Sequence, residues 1–216
     1  MNLFSLFRLT LTTITSLLFI LIIISGCLNF IVRSSLIYDY NISVYSIESR
    51  TSLPLEKIKE INLSIRTYFF DENELLDVDI YSDKEILHMK DVKSVMSFIF
   101  DLSKVLSIIF CMLTFVLTSY FRVNFYKLIF HSLILFSSIL ILLGASFLLF
   151  FQELFIIFHK IAFNNDLWIL NPSKDYLLMM HPENFFRDVA VFILLSSFLL
   201  NVIVYILFRS LSFQSK

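Results

Sequence analysis

The chain alternates between long apolar blocks and two polar stretches, and that alternation sets its architecture. Residues 9–32, 95–120, 128–151 and 189–208 are each almost continuously apolar and 20 or more residues long. That is the length a helix needs to cross the hydrocarbon core of a bilayer. Between them lie polar residues 33–94 and 152–188 and a short link at 121–127, and a basic tail closes the chain. The expectation is a mainly α membrane protein. One integral domain over residues 1–216 would hold four transmembrane helices and a small external α/β lobe formed by 33–94 and 152–188.

Within 33–94 the pattern changes several times. Tyr38, Tyr40, Ile42 and Val44 alternate, which predicts a strand over 38–47. Pro54 stands at a first helical position, followed by Leu55, Ile58, Ile61, Ile65 and Phe69 at helical spacing. Val78 and Ile80 alternate with Asp77, Asp79 and Tyr81, predicting a short second strand. Ser82-Asp83-Lys84-Glu85 has the form of a capping box, in which the serine takes an orphan amide and the glutamate reaches back. A helix should begin at about Asp83 and run on into the second apolar block.

The N-terminal block contains Ile24-Ser25-Gly26-Cys27, similar to the tetrapeptide at which bacterial lipoproteins are processed. Apolar sequence continues beyond the cysteine, and the block exceeds the roughly 7–15-residue core of a signal peptide. The expectation is a retained first helix.

Composition adds three constraints. The chain is 58% hydrophobic, above the ~45–50% usual for soluble domains, so the excess belongs to the spans. The net charge of −1, with no basic patch, gives no footprint for nucleic acid. Both cysteines, Cys27 and Cys111, fall inside apolar blocks, which argues against a disulfide framework or thiolate metal site.

Charge also orients the chain. Arg8, Arg122, Lys127, Arg209 and Lys216 lie at the N-terminal tip, the short link and the tail, where no acidic residue occurs. All 18 acidic residues fall between Asp39 and Asp101 or between Glu153 and Asp188. By the positive-inside rule both chain ends face the cytoplasm and both polar stretches face outward.

Four histidines are available for chemistry. His131 lies near the start of the third span and reads as a snorkelling or helix-pairing residue. His181 precedes Pro182 and reads as part of a helix-start turn. His88 lies about two turns before the second span, with Glu85 and Asp91 at helical spacing beside it. His159 lies beyond the third span, flanked one turn away by Phe155 and Phe163. An imidazole is the natural proton carrier near neutral pH, although a buried structural histidine has the same sequence appearance. Asn165 and Asp166 read as loop-turning residues, and Trp168 as a membrane-interface aromatic.

Asp83-Lys84-Glu85-Ile86-Leu87-His88-Met89-Lys90-Asp91-Val92-Lys93 resembles the first signature of the lipoprotein intramolecular transacylases, bacterial four-span membrane proteins. Phe158-His159-Lys160-Ile161-Ala162-Phe163-Asn164-Asn165-Asp166-Leu167-Trp168 and the following Ile169-Leu170-Asn171-Pro172-Ser173-Lys174-Asp175, then Pro182-Glu183-Asn184-Phe185-Phe186, resemble the second. The resemblance implies transfer of the sn-2 acyl chain of a diacylglyceryl lipoprotein to the α-amino group of its N-terminal cysteine. It implies His88 and His159 as the essential pair, and no metal or cofactor. Here His88 is taken as base, with Glu85 or Asp91 orienting it, and His159 as oxyanion partner or proton shuttle; the reverse assignment stays open. Asn165, Asp166 and Trp168 are candidate supporting residues, and membrane lipids are expected partners. Two other readings stand beside this one. A metal-dependent membrane hydrolase would use the Glu85/His88 i,i+3 pair, and a non-enzymatic four-span subunit would use its external lobe for docking.

The topology is directly testable. A reporter fused after Lys216 should be active only in the cytoplasm, and reporters inserted in 33–94 or 152–188 only outside. An externally active C-terminal fusion contradicts the assignment.

Overall fold

The computed structural model describes residues 2–214, excluding the side chains at positions 143, 145, 146, 148, 213 and 214. Lys216, counted above among the basic residues of the tail, lies outside the described residues. The helices are α1 (Leu3–Arg33), α2 (Ser35–Val44), α3 (Ile47–Thr51), α4 (Leu55–Tyr68), α5 (Asp83–Ser119), α6 (Phe125–Leu149), α7 (Phe151–Ala162), α8 (Tyr176–Met180) and α9 (Glu183–Gln214). Among the described residues, four helices are long and apolar enough to cross a membrane: α1, α5, α6 over Phe125–Leu142, and α9 over Glu183–Ser212. Ile24–Cys27 lies inside the continuous helix α1.

The contacts divide the chain into two units. The described residues of the first fall within Met1–Leu28, Phe100–Ser146 and Phe192–Lys216. Apolar helices gain little from hydrophobic burial in lipid, so close packing and polar contacts join them. Thr13 Oγ1 lies 3.2 Å from His131 Nε2 and Ser16 Oγ donates to the Leu128 carbonyl, linking α1 to α6. Ser132 Oγ donates to Asn201 Oδ1 at 3.1 Å, linking α6 to α9. His131 is thus a helix-pairing residue. Phe136 packs edge-on against Phe198 in the same unit.

The second unit comprises Asn29–Ile99 and Phe147–Val191. Its core gathers Ile42, Ile47, Ile58, Ile61, Ile65 and Tyr68 with Leu76, Val78, Tyr81, Met89, Leu177 and Met180. Helix α4 supplies Ile58, Ile61 and Ile65 from one face, following the spacing in the sequence. Pro54 is its N-cap, one position before the first helical residue, Leu55.

The expected α/β lobe is corrected: among the described residues this unit is helical and contains no strand. Residues 38–47 form α2 and the start of α3. Ile37, Tyr38, Asn41 and Ile42 are buried on one helical face, whereas Val44 is exposed, so the apparent alternation mixed two sides of a helix. Ser34 caps α2, and left-handed residues Ser46 and Ser52 bracket α3. Around Val78 the backbone turns on itself, with the Tyr81 amide donating to the Val78 carbonyl at 3.2 Å. Val78 and Tyr81 are buried from that turn, without a partner strand.

The capping box at the start of α5 forms. Glu85 Oε2 accepts from the Ser82 amide and from Ser82 Oγ, both at 2.7 Å, while Ser82 Oγ receives the Glu85 amide at 3.4 Å. Glu85 Oε1 accepts the Leu177 amide at 2.7 Å. This carboxylate is 2% exposed, so its partners replace water entirely. Glu85→Ala would remove the cap and leave buried donors without acceptors, at a cost of about 2–4 kcal/mol. Thermal unfolding in neutral detergent should show a clear fall in Tm for Glu85→Ala and a smaller one for Glu85→Gln. An unchanged Tm for the alanine variant contradicts this role.

Candidate active site

The second unit brings together His88 of α5 and His159 of α7. His88 lies in the polar opening of α5, where Asp83, Lys84, Glu85, Lys90, Asp91 and Lys93 place it outside the apolar segment that begins near residue 95. His159 lies in the last turn of α7. Their ring centroids are 6.1 Å apart with the planes 31° from parallel. Each residue is 7% exposed.

Aromatic side chains enclose the pair. The Phe163 ring lies 5.2 Å from His88, edge-on, and 5.5 Å from His159. Trp168 lies over His159 at 5.0 Å and 34°, and Phe155 approaches it to 4.2 Å. Trp168, expected at a membrane interface, therefore packs on an imidazole.

The two rings differ in their bonding. His159 Nδ1 lies 2.6 Å from the Phe155 carbonyl oxygen, which can only accept. That contact makes Nδ1 the protonated nitrogen and leaves the lone pair of the neutral ring on Nε2. His88 Nδ1 is buried with no hydrogen-bond partner. Burial lowers the pKa of His88 to about 4, helped by the field of His159 and by Lys84, with Asp91 opposing. Burial also lowers that of His159, against the Phe155 carbonyl. Both are neutral imidazoles at pH 7, and they differ in bonding: the Phe155 carbonyl favours a proton on His159, whereas His88 Nδ1 has no such partner.

The candidate supporting residues separate into distinct roles. Glu85 is engaged in the cap, with Ser82 on one of its oxygens and the Leu177 amide on the other. Asp91 Oδ2 accepts from Asn165 Nδ2 at 2.9 Å, and Asn165 Oδ1 accepts the Leu167 amide at 3.0 Å. One asparagine thus turns the loop after α7 and ties it to α5, one turn beyond His88. Lys84 Nζ donates to the Ile169 carbonyl and adds a second tie. The Asp166 side chain is exposed; its carbonyl accepts the Ile169 amide. The Phe155 carbonyl carries no signal in the sequence, since every residue offers one.

His181 is 4% exposed, with Nε2 3.2 Å from Asn62 Oδ1 and its ring edge-on to Tyr38. It is a core histidine of the second unit. Among the described residues no three His, Cys, Asp or Glu side chains are grouped closely enough to hold a metal, so the hydrolase reading has no ligand set there.

Comparison with known proteins agrees with this frame. Residues 13–186 match the family model described as lipoprotein intramolecular transacylase Lit. The chain belongs to that family. An uncharacterized protein of Aquifex aeolicus is 35% identical over 125 residues, 57% of this chain and 54% of that protein. The match thus spans about half the length of that relative. The in meso structure of membrane-integral Lit from Bacillus cereus superposes with a TM-score of 0.82 at 24% identity, covering 98% of each chain. A form of the same protein with one histidine changed to alanine gives 0.81 at 24% identity, over 98% of this chain and 96% of that one. The fold is that of a multi-pass, membrane-integral Lit structure.

The buried histidines fix a pH dependence of stability. Unfolded imidazoles titrate near 6.5, whereas folded His88 and His181 titrate at about 4. The folded state refuses protons that the unfolded state accepts between these values, so stability is full above about pH 6.5 and declines as pH falls towards 4. Tm should fall between about pH 6.5 and 5, above the main carboxylate range, and His181→Gln should flatten that slope. A Tm that rises over the same interval contradicts it.

Proposed function

We propose that this chain catalyses intramolecular acyl transfer on diacylglyceryl lipoproteins. The α-amine of the substrate's N-terminal cysteine attacks the sn-2 ester carbonyl. A C–N bond forms, the C–O bond to glycerol breaks, and the amine proton ends on the glyceryl oxygen. The product is a lyso-form lipoprotein with an N-acyl cysteine. Membership of the Lit family supports the reaction, and the observation that carries the site is the pair of neutral imidazoles 6.1 Å apart in an aromatic enclosure.

The roles follow from the bonding. His159 is the base: the Phe155 carbonyl holds its proton on Nδ1, leaving Nε2 to take the amine proton and return it to the leaving oxygen. His88, whose buried Nδ1 has no partner of its own, serves as a neutral N–H donor to the tetrahedral oxyanion. This reverses the order favoured from the sequence. Substrate supplies the nucleophile, so no serine or cysteine nucleophile is required. Holding amine and ester together inside a low-dielectric box provides the proximity contribution. With both chain ends cytoplasmic, the pair works at the outer leaflet, where diacylglyceryl lipoproteins are anchored.

Expression in a bacterium without this activity should convert diacylglyceryl N-terminal peptides to lyso-forms bearing an amide-linked acyl chain, read by mass spectrometry. His159→Ala should lower the rate about 10²–10⁴-fold and His88→Ala about 10²–10³-fold. His88→Gln, which keeps an N–H, should recover part of the loss, whereas His159→Gln should not. Unchanged peptides from a host that inserts the protein, or alanine variants of full activity, would falsify the proposal.

A further inference from the structure

The first unit contains an open pocket of about 480 Å³ lined by Tyr126, Lys127, Phe130, Tyr205 and Arg209. Neither histidine of the candidate active site belongs to it. Tyr126 and Lys127 lie in the first turn of α6, and Tyr205 and Arg209 lie in the last three turns of α9. Both helices are apolar enough to cross a membrane, so the pocket sits at an end of two spans, at headgroup depth.

Its chemistry is one-sided. Two cations and two phenols line it, and the sequence holds no acidic residue over 102–152 or 189–216. The Phe130 and Tyr205 rings meet at 5.3 Å and join the α6 wall to the α9 wall, while Arg209 Nη1 donates to Tyr205 Oη at 2.9 Å within α9. Tyr126, Phe130 and Ile134 follow at four-residue intervals along α6, and Phe130 and Ile134 are exposed. The cationic mouth therefore continues into an uncovered apolar face, and a ligand matching both has an anionic phosphate with hydrocarbon attached.

We propose that this pocket binds the phosphate of an anionic membrane phospholipid, with Lys127 and Arg209 as ion partners, Tyr126 and Tyr205 as hydroxyl donors, and an acyl chain along Phe130 and Ile134. Basic pockets between membrane helices are suited to such headgroups, each cation near the surface contributing about 5-fold in affinity. The inference is independent of the acyl-transfer reading.

The test uses the full chain in neutral detergent, with lipid retention measured by native mass spectrometry and by Tm. Phosphatidylglycerol should bind and raise Tm, and phosphatidylcholine should do so far less. Lys127→Gln with Arg209→Gln should weaken phosphatidylglycerol retention about 25-fold. The charge-preserving pair Lys127→Arg with Arg209→Lys should restore most of it. Arg8→Gln with Arg122→Gln, which removes equal charge from the same unit outside the pocket, should have little effect. Equal binding of the two lipids, or equal weakening by the control pair, overturns the proposal. Protection by inorganic phosphate alone as strong as that by phosphatidylglycerol overturns the assignment to a lipid.

Discussion

The second unit depends on cross-links between two polar stretches that lie about 50 residues of apolar sequence apart. The buried Glu85 carboxylate is the centre of these links. It ends the turn at Ser82, starts α5 and receives the amide that starts α8. Asn41 adds a bond from Nδ2 to the Met180 carbonyl at 2.7 Å, and Tyr40 and Tyr45 both donate to Asp188. Without such bonds, a core of short helices with polar ends would leave many backbone groups unpaired. The cost of each buried unpaired group exceeds the net gain of each bond made, so the network acts as a set of constraints more than as a store of stability.

That framework explains why His88 and His159 differ although both are buried. His159 sits at the end of a helix where its own chain offers the Phe155 carbonyl, so its tautomer is set locally. His88 emerges from a helix whose nearest carboxylates are engaged elsewhere, Glu85 in the cap and Asp91 with Asn165. In the proposed reaction, that asymmetry separates proton acceptor from hydrogen-bond donor within one aromatic enclosure. Phe163 packs against both rings and Trp168 against His159, a shield from water that strengthens any charge interaction formed between them.

Much of this architecture was legible because its signals are local. Twenty-residue apolar runs, Ser82-Asp83-Lys84-Glu85 and the Ile58/Ile61/Ile65 spacing each report a structure that forms within a few turns. The misread strands at 38–47 and 78–80 show the opposite case. Over so few residues a two-residue alternation and one face of a helix overlap, and the packing of Ile37, Asn41 and Ile42 decided between them. Glu85 was readable as a cap but not as the acceptor for Leu177, a partner 92 positions away. The pairing of His88 with His159 was expected from the family resemblance. Which nitrogen carries the proton was not, because it rests on a main-chain carbonyl.

The central claim is that one substrate molecule supplies both amine and acyl chain to a metal-independent imidazole pair. A purified preparation given a diacylglyceryl peptide with an isotope-labelled sn-2 chain, mixed with unlabelled peptide of different sequence, tests it most directly. The label should end amide-linked on the cysteine of the peptide that carried it, with no crossover, no free fatty acid and no loss in chelator. Release of labelled fatty acid to water, or label appearing on the other peptide, would contradict it.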